Sequence, residues 1–257
     1  MFTHLQVASG YSFKYGTAMP EKIVQRASEC GMNRIALTDV DGMAGAIRFT
    51  KACESAGIAP ILGVAIPFLQ KKYRVTLMAE SGSLGALYKL LSAINLESEE
   101  KILSYKILEK HNDLSSQVLL LHGPTSQLAQ AIASKRDEEA LSIYQSTQEF
   151  FSRQSLALVS HLTKGNTPFS TPFAASNLRF ARRHNITAIL TNAVRMLDRT
   201  DGPIADVLDA SRMLVPLHSR HVERSNNESY FKNEAEMRKV ADEIARTAGD
   251  LNPRYLL

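Results

Sequence analysis

The chain has 257 residues, with 30 Lys and Arg against 26 Asp and Glu for a formal net charge of +4, and a pI near 9.0. At 44 % hydrophobic and 22 % charged, with 13 Gly and 9 Pro, it has the composition of an ordinary globular chain, which excludes long disorder, collagen-like repeats and a disulfide-stapled miniprotein. No run of about 18 apolar residues occurs, and the N-terminus lacks the basic and apolar stretches of a signal peptide, so neither a membrane span nor export is expected.

Taken in chain order, apolar runs and alternation predict strands at Phe2–Ala8, Arg34–Thr38, Ala59–Ile66, Tyr73–Ala79, Gln117–His122, Leu156–His161 and Thr187–Thr191. Helical periodicity predicts helices at Pro20–Cys30, Met43–Ser55, Leu84–Asn95, Lys135–Phe151, Pro172–His184, Pro203–Met213 and Glu234–Thr247. The punctuation agrees: Pro20 stands in a first helical turn, Gly31 and Gly57 fall just past helix ends, and Asp201-Gly202-Pro203 opens a helix. Glu97–Asp113 is charged and reads as an exposed excursion, and Thr163–Pro172 as a turn-rich loop. Leu217–Asn227 is a polar connector containing His218, Arg220, His221 and Arg224.

Short strands alternating with helices predict a parallel sheet with right-handed crossovers, and about seven such units favour closure. The expected fold is α/β, a distorted (β/α)7 TIM-like barrel over residues 1–213, with 214–257 a connector and C-terminal helical extension packed on it. Cys30 and Cys53 form no metal-ligand motif and read as buried small hydrophobes in a reducing cytoplasm. No nucleophile elbow, Walker A loop or GxGxxG is present. His4 reads as structural. His122 and His161 fall near strand ends where they could meet across a barrel mouth, though two imidazoles without a carboxylate make a poor site. His184 follows a helix end, where it would offset the helix dipole.

In a closed α/β barrel the chemistry sits at the C-terminal ends of the strands. The segments His4-Leu5-Gln6-Val7-Ala8-Ser9-Gly10-Tyr11-Ser12, Ala36-Leu37-Thr38-Asp39 with Gly42 and Gly45, Ala56-Gly57-Ile58-Ala59-Pro60-Ile61-Leu62-Gly63, and Thr191-Asn192 through Leu197-Asp198-Arg199 resemble the polymerase and histidinol phosphatase (PHP) domain. The resemblance is strongest to the one at the N-terminus of the alpha subunit of bacterial DNA polymerase III, a C-family polymerase. It extends in order through Arg74–Ala79, Leu87–Leu90, Asp206–Ala210 and Glu228–Met237.

An active member of that family resembles a trinuclear metal phosphoesterase, with His, Asp, Glu or Cys ligands gathered at the mouth. Carried over residue by residue, the resemblance places those ligand positions at Gln6, Ala8, Tyr15, Val40, Ala65, Arg74, Pro124, Ala193 and Arg195. None is a ligand of the expected kind: Val, Ala and Pro offer no donor, and Arg is a fixed cation. Three readings of Arg74 and Arg195 stand open. They could fill the vacated mouth and pair with Asp39 or Asp41, lie on the surface as solvated arginines, or line a phosphate pocket. The most specific expectation is a charge pair of Arg195 with Asp39 or Asp41.

The resemblance thus implies a metal-free, catalytically degenerate domain of a polymerase III alpha-type protein, with no cofactor and no catalytic residues of its own. Its expected role is a cytoplasmic scaffold in DNA replication or repair synthesis. Expected partners are the palm and thumb of a polymerase alpha chain and a proofreading exonuclease subunit, with DNA reached indirectly. Competing classes are an active metal-dependent phosphoesterase or proofreading nuclease, and a nucleotide or nucleic-acid binding module.

Overall fold

A computed structural model describes residues 2–218 and 226–249. Its centre is one six-stranded sheet in the order β1-β2-β3-β4-β5-β6: β1 (Arg34–Val40), β2 (Ala59–Phe68), β3 (Gln70–Ala79), β4 (Val118–His122), β5 (Arg153–Leu158) and β6 (Ala188–Leu190). β1–β2, β4–β5 and β5–β6 pair in parallel, whereas β3 runs antiparallel to both β2 and β4. The all-parallel expectation fails there for a covalent reason. Leu69 alone separates β2 from β3 and turns the chain with φ 61°; a parallel crossover needs a dozen or more residues, so only a hairpin can form.

The expected first strand, Phe2–Ala8, is not a regular strand. It makes one isolated parallel bridge, Val7 to Val194, yet its backbone is satisfied on both sides. The N–H groups of Ala36 and Thr38 donate to the carbonyls of His4 (3.0 Å) and Val7 (2.8 Å), while Ala8 N–H donates to Val194 (2.8 Å) and Val194 N–H to Gln6 (2.8 Å). The sixth expected strand, Leu156–His161, shifts earlier and runs from Arg153 to Leu158.

Helices cover the sheet. α1 (Pro20–Glu29), α2 (Ala46–Ala56) and α3 (Leu84–Glu97) match the helical periodicity within a few residues. Left-handed Gly31 (φ 68°) and Gly57 (φ 66°) turn the chain out of the first two. The charged excursion hides two short helices, α4 (Tyr105–Lys110) and α5 (Asn112–Ser115). Its buried Ile102, Leu103, Ile107 and Leu108 attach it to the hairpin, where Leu69 N–H donates to Leu103 O and Leu103 N–H to Pro67 O. The charges at residues 97–101 mask that apolar stripe. α6 (Gln127–Ala133) also escapes the sequence reading; Ser126 caps it by accepting from Ala129 N–H.

The later helices are α7 (Asp137–Gln148), α8 (Thr171–Arg183), α9 (Gly202–Met213) and α10 (Glu234–Ala248). α10 opens on a capping box between Asn233 and Glu236. It buries Met237, Val240, Ala241, Ile244 and Ala245 in the same core as Ile23 of α1, Ile35 of β1 and Leu178 of α8. Arg220, His221 and Arg224 of the connector, and the end of the expected extension from residue 250, lie outside the described residues. Cys53 is buried, but Cys30, expected to be, is only half-buried.

Candidate functional site

The C-terminal ends of β1, β2 and β4 surround a cavity of ≈ 380 Å³. Eight of the nine positions picked out in the sequence line it: Gln6, Ala8, Tyr15, Val40, Ala65, Arg74, Pro124 and Ala193. Arg74 reaches this end of the sheet because β3 is antiparallel: it pairs with Pro67 near the end of β2, so the start of β3 lies where its neighbours finish. The ninth position, Arg195, points instead toward α9.

Asp39, at the end of β1, is 1 % exposed and is captured by the loop that follows the first segment. Ser9 donates to it from its backbone N–H (2.6 Å) and its hydroxyl (2.9 Å), and the Ser12 hydroxyl adds a third donor at 2.7 Å. Burial pushes the Asp39 carboxyl above the usual range, while the serine hydrogen bonds pull it back. The loop must close tightly for this. A Cβ on Gly16 would lie 2.2 Å from the Ser9 carbonyl oxygen, and one on Gly45 would lie 3.0 Å from Asp39 Oδ2.

Asp41, with φ 61°, pairs with the Arg74 guanidinium, whose Nη2 also donates to the Ala65 carbonyl at 3.0 Å. This pair sits on the rim, with 29 % and 60 % of the two side chains exposed. Arg74 is thus matched by Asp41 at the edge of the cavity.

Arg195 does not meet its expected partners. Arg195 Nη1 donates to Asp209 Oδ2 at 2.9 Å and Nη2 to the Ala205 carbonyl at 3.2 Å, both on α9. Its guanidinium lies 4.5 Å over the Tyr15 ring, and the pair is 8 % and 7 % exposed. Arg212 donates to the other oxygen of Asp209 at 3.0 Å. The correction has a simple cause: Asp39 already has its donors from Ser9 and Ser12, Asp41 has Arg74, and α9 follows residue 195 so closely that its inward acid is the nearest unmatched charge. Asp209, Ser9 and Ser12 were missed as partners. The available signal was Asp209 lying one helical turn beyond Ala205 on the face that α9 buries.

The histidines do not assemble. His4 is buried, with Nε2 2.8 Å from the Lys232 carbonyl. His122 meets Gln154 Oε1 at 3.0 Å, and His161 meets the Asn192 carbonyl at 3.0 Å while stacking on Phe169. Burial lowers all three to a pKa of about 4. His184, just past α8, packs on the Phe180 ring. Asn192 uses its amide to hold the returning chain, donating to the carbonyls of Glu228 (2.9 Å) and Tyr230 (2.8 Å).

A metal cluster of the kind found in phosphoesterases needs several anionic or imidazole donors converging on one point. Among the described residues, no three His, Cys, Asp or Glu side chains form such a group. The cavity offers an amide, a phenol, alkyl groups and arginine where donors would be needed. The residues present do not fit the metal group. Nor is any helix among the described residues long and apolar enough to cross a membrane.

The fold is a mixed α/β domain with a cavity at the strand ends of its six-stranded sheet, and the family model for the PHP domain matches residues 4–159. The chain belongs to the PHP domain family. It is 40 % identical over 87 residues to DNA polymerase III subunit alpha of Bacillus subtilis, a match covering 32 % of this chain and 8 % of that protein. It is also 36 % identical over 102 residues to error-prone DNA polymerase of Symbiobacterium thermophilum, covering 39 % and 9 %. The matches thus span under a tenth of those relatives' length. Among solved structures, a two-domain protein of Bacteroides vulgatus containing a predicted PHP-like metal-dependent phosphoesterase is 13 % identical at a TM-score of 0.48, with 75 % of this chain and 51 % of that one covered. That likeness is too distant to transfer chemistry.

Proposed function

We propose that this chain is a metal-free, catalytically degenerate PHP domain that serves as a structural and docking scaffold in a polymerase III alpha-type protein. One observation carries the reading: eight of the nine positions where the family's ligands are expected converge on one cavity, and none of them brings a carboxylate, imidazole or thiolate. In place of metal charge, the mouth holds guanidinium charge matched by aspartate. Arg74 pairs with Asp41 on the rim, and Arg195 and Arg212 share Asp209 at the side. Fixed cations of this kind repel a divalent ion at close range.

In this reading residues 1–213 form a seven-unit barrel closed by the Phe2–Ala8 segment, and 214–257 an extension whose helix α10 seals the core. The domain would support the palm and thumb of a polymerase chain and offer a surface to a proofreading exonuclease subunit, in the cytoplasm, contacting DNA only through those partners. No residue of this chain is assigned a catalytic step. The test is elemental analysis of the purified chain, together with phosphatase assays on small phosphoesters with added Zn, Mn or Fe. The expected outcome is substoichiometric metal and no turnover; about two or three bound metals per chain would sink the reading.

A further inference from the structure

The sheet holds a second hollow at the end opposite the mouth. Ala36 of β1, Met78 of β3, Leu121 of β4 and Ala157 of β5 pack into one cluster, so the sheet curls around its own interior. Where β1, β4, β5 and β6 begin and β3 finishes, a cavity of ≈ 620 Å³ opens, walled by Leu5, Ile61, Met78, Leu119, Leu121 and Ile189. By strand alternation Ile61 shares a face with Ala65 of the mouth, and Met78 with Thr76. Both hollows therefore lie inside the curl. Leu5, Ile61, Leu119 and Ile189 are only partly buried, whereas Ile35, Leu120 and Leu190 on the outer face of the same strands are fully covered by helices and neighbours. Closed α/β barrels fill such a layer with bulky branched side chains; the alanines at 36 and 157 leave it unfilled.

The charged residues of this hollow are Arg34, Glu80 and Arg153. Arg34 opens β1, Arg153 opens β5, and Glu80 follows β3. Arg153 Nη1 lies 3.5 Å from Glu80 Oε1, so those two charges offset each other. Arg34 is exposed, and its guanidinium has no hydrogen bond or ion pair among the described residues. The lining therefore carries one unmatched charge, positive and open to solvent, beside an apolar wall that water also reaches. Concave, mostly apolar sites with a few polar groups are where small ligands bind, and the sign and number of the free charge select a monoanion.

We infer that this hollow binds a single-chain amphiphile with one carboxylate, a medium-chain fatty acid. The hydrocarbon chain lies against the leucine and isoleucine walls, and the carboxylate stays at the opening, where it accepts from the Arg34 guanidinium; the planar fork of arginine matches the two carboxylate oxygens. A phosphate dianion would bring a second charge that nothing in the described lining matches, and a cation would meet Arg34 head-on. The two hollows share no lining residue, so this binding does not depend on whether the mouth holds metal.

The probe is octanoate, titrated into the full chain below the concentration at which it forms micelles and followed by backbone amide NMR shifts. 1-Octanol and octylammonium, with the same chain but no charge or the opposite one, serve as comparison ligands. Octanoate is expected to shift signals around Leu5, Ile61, Leu119 and Ile189 while those of Tyr15, Asp41 and Ala193 stay in place. It should bind at least about threefold more tightly than octanol, with octylammonium weakest, and added salt should narrow the gap. Arg34→Gln, at an exposed and unpaired position, should erase the preference for octanoate, and Arg34→Lys, which keeps the charge, should retain part of it. Equal affinities for octanoate and octanol, a preference that survives Arg34→Gln, shifts confined to the mouth, or no shift up to about 10 mM octanoate would overturn the inference. Phosphatidylglycerol vesicles are expected to leave the chain unbound; vesicle binding with octanoate silent would assign the site to a membrane surface and overturn it as well.

Discussion

The two sides of the mouth solve one electrostatic problem in opposite ways. On the hairpin side, Arg74 and Asp41 form a rim pair with 60 % of the aspartate side chain in solvent. On the α9 side, Arg195 and Asp209 are each under a tenth exposed, with Tyr15 stacked on the guanidinium and the Ala205 carbonyl accepting from its Nη2. Water screens the first pair and shares in its hydrogen bonding, so the interaction adds little to stability. The second has given up its hydration, and each partner depends on the other. The same pairing of residue types therefore marks a surface feature in one place and a structural fastening in the other.

Acid should discriminate most strongly between the two sides. His161 hangs on the Asn192 carbonyl and His4 on that of Lys232, both on the α9 and α10 side, and burial holds each near a pKa of about 4 against 6.5 in the unfolded chain. Because the unfolded histidines bind protons below about pH 6.5 and the folded ones do not, the histidine contribution to stability is full above that value and falls as pH drops toward 4, by on the order of 3 kcal/mol for each histidine. Asp39, with its raised carboxyl, acts in the opposite sense, its contribution fading as pH rises. Urea midpoints measured from pH 7 to pH 4 should fall steeply, with amide protection lost around residues 192–196 and 228–232 and also around His122 of β4, which burial lowers to about 4 in the same way. A midpoint independent of pH would break the contrast.

Next in size is Arg195→Leu. It strands the Asp209 carboxylate with Arg212 alone and should cost about 3 kcal/mol in urea unfolding. Asp209→Asn in the same background should restore part of the loss, since the stranded charge is what costs. An additive double variant would mean that the two side chains do not act as a unit.

The smallest effect sharpens the comparison from the other side. Arg74→Leu removes a rim pair and should change stability by less than about 1 kcal/mol, with a salt dependence that the Arg195 variant lacks. A loss as large as that of Arg195→Leu would show that the rim is as fastened as the buried side.

Much of this was legible in the sequence, and the part that was not has particular causes. Apolar runs located all six strands and the long helices to within a few residues, because burial on one face leaves a periodic trace in any order of reading. The short helices α4 and α6 left too little: each is under two turns long, too short for an apolar face to repeat, and begins on a serine cap. The direction of β3 was equally invisible to periodicity, since a strand alternates the same way whichever way it runs; only the one-residue link at Leu69 carried that information.

The mouth divides along the same line. The order of residues alone determined that no carboxylate, imidazole or thiolate stands at Gln6, Ala8, Tyr15, Val40, Ala65, Arg74, Pro124, Ala193 or Arg195, because the identity of a donor is a property of the side chain and needs no geometry. Which acid meets which arginine was decided only in three dimensions. Asp39, Asp41 and Asp209 are chemically alike, and a guanidinium pairs with whichever of them lies within about 3 Å. Distances of that size follow from where the Ser9–Ser12 loop closes and where α9 packs, and a linear sequence does not carry them.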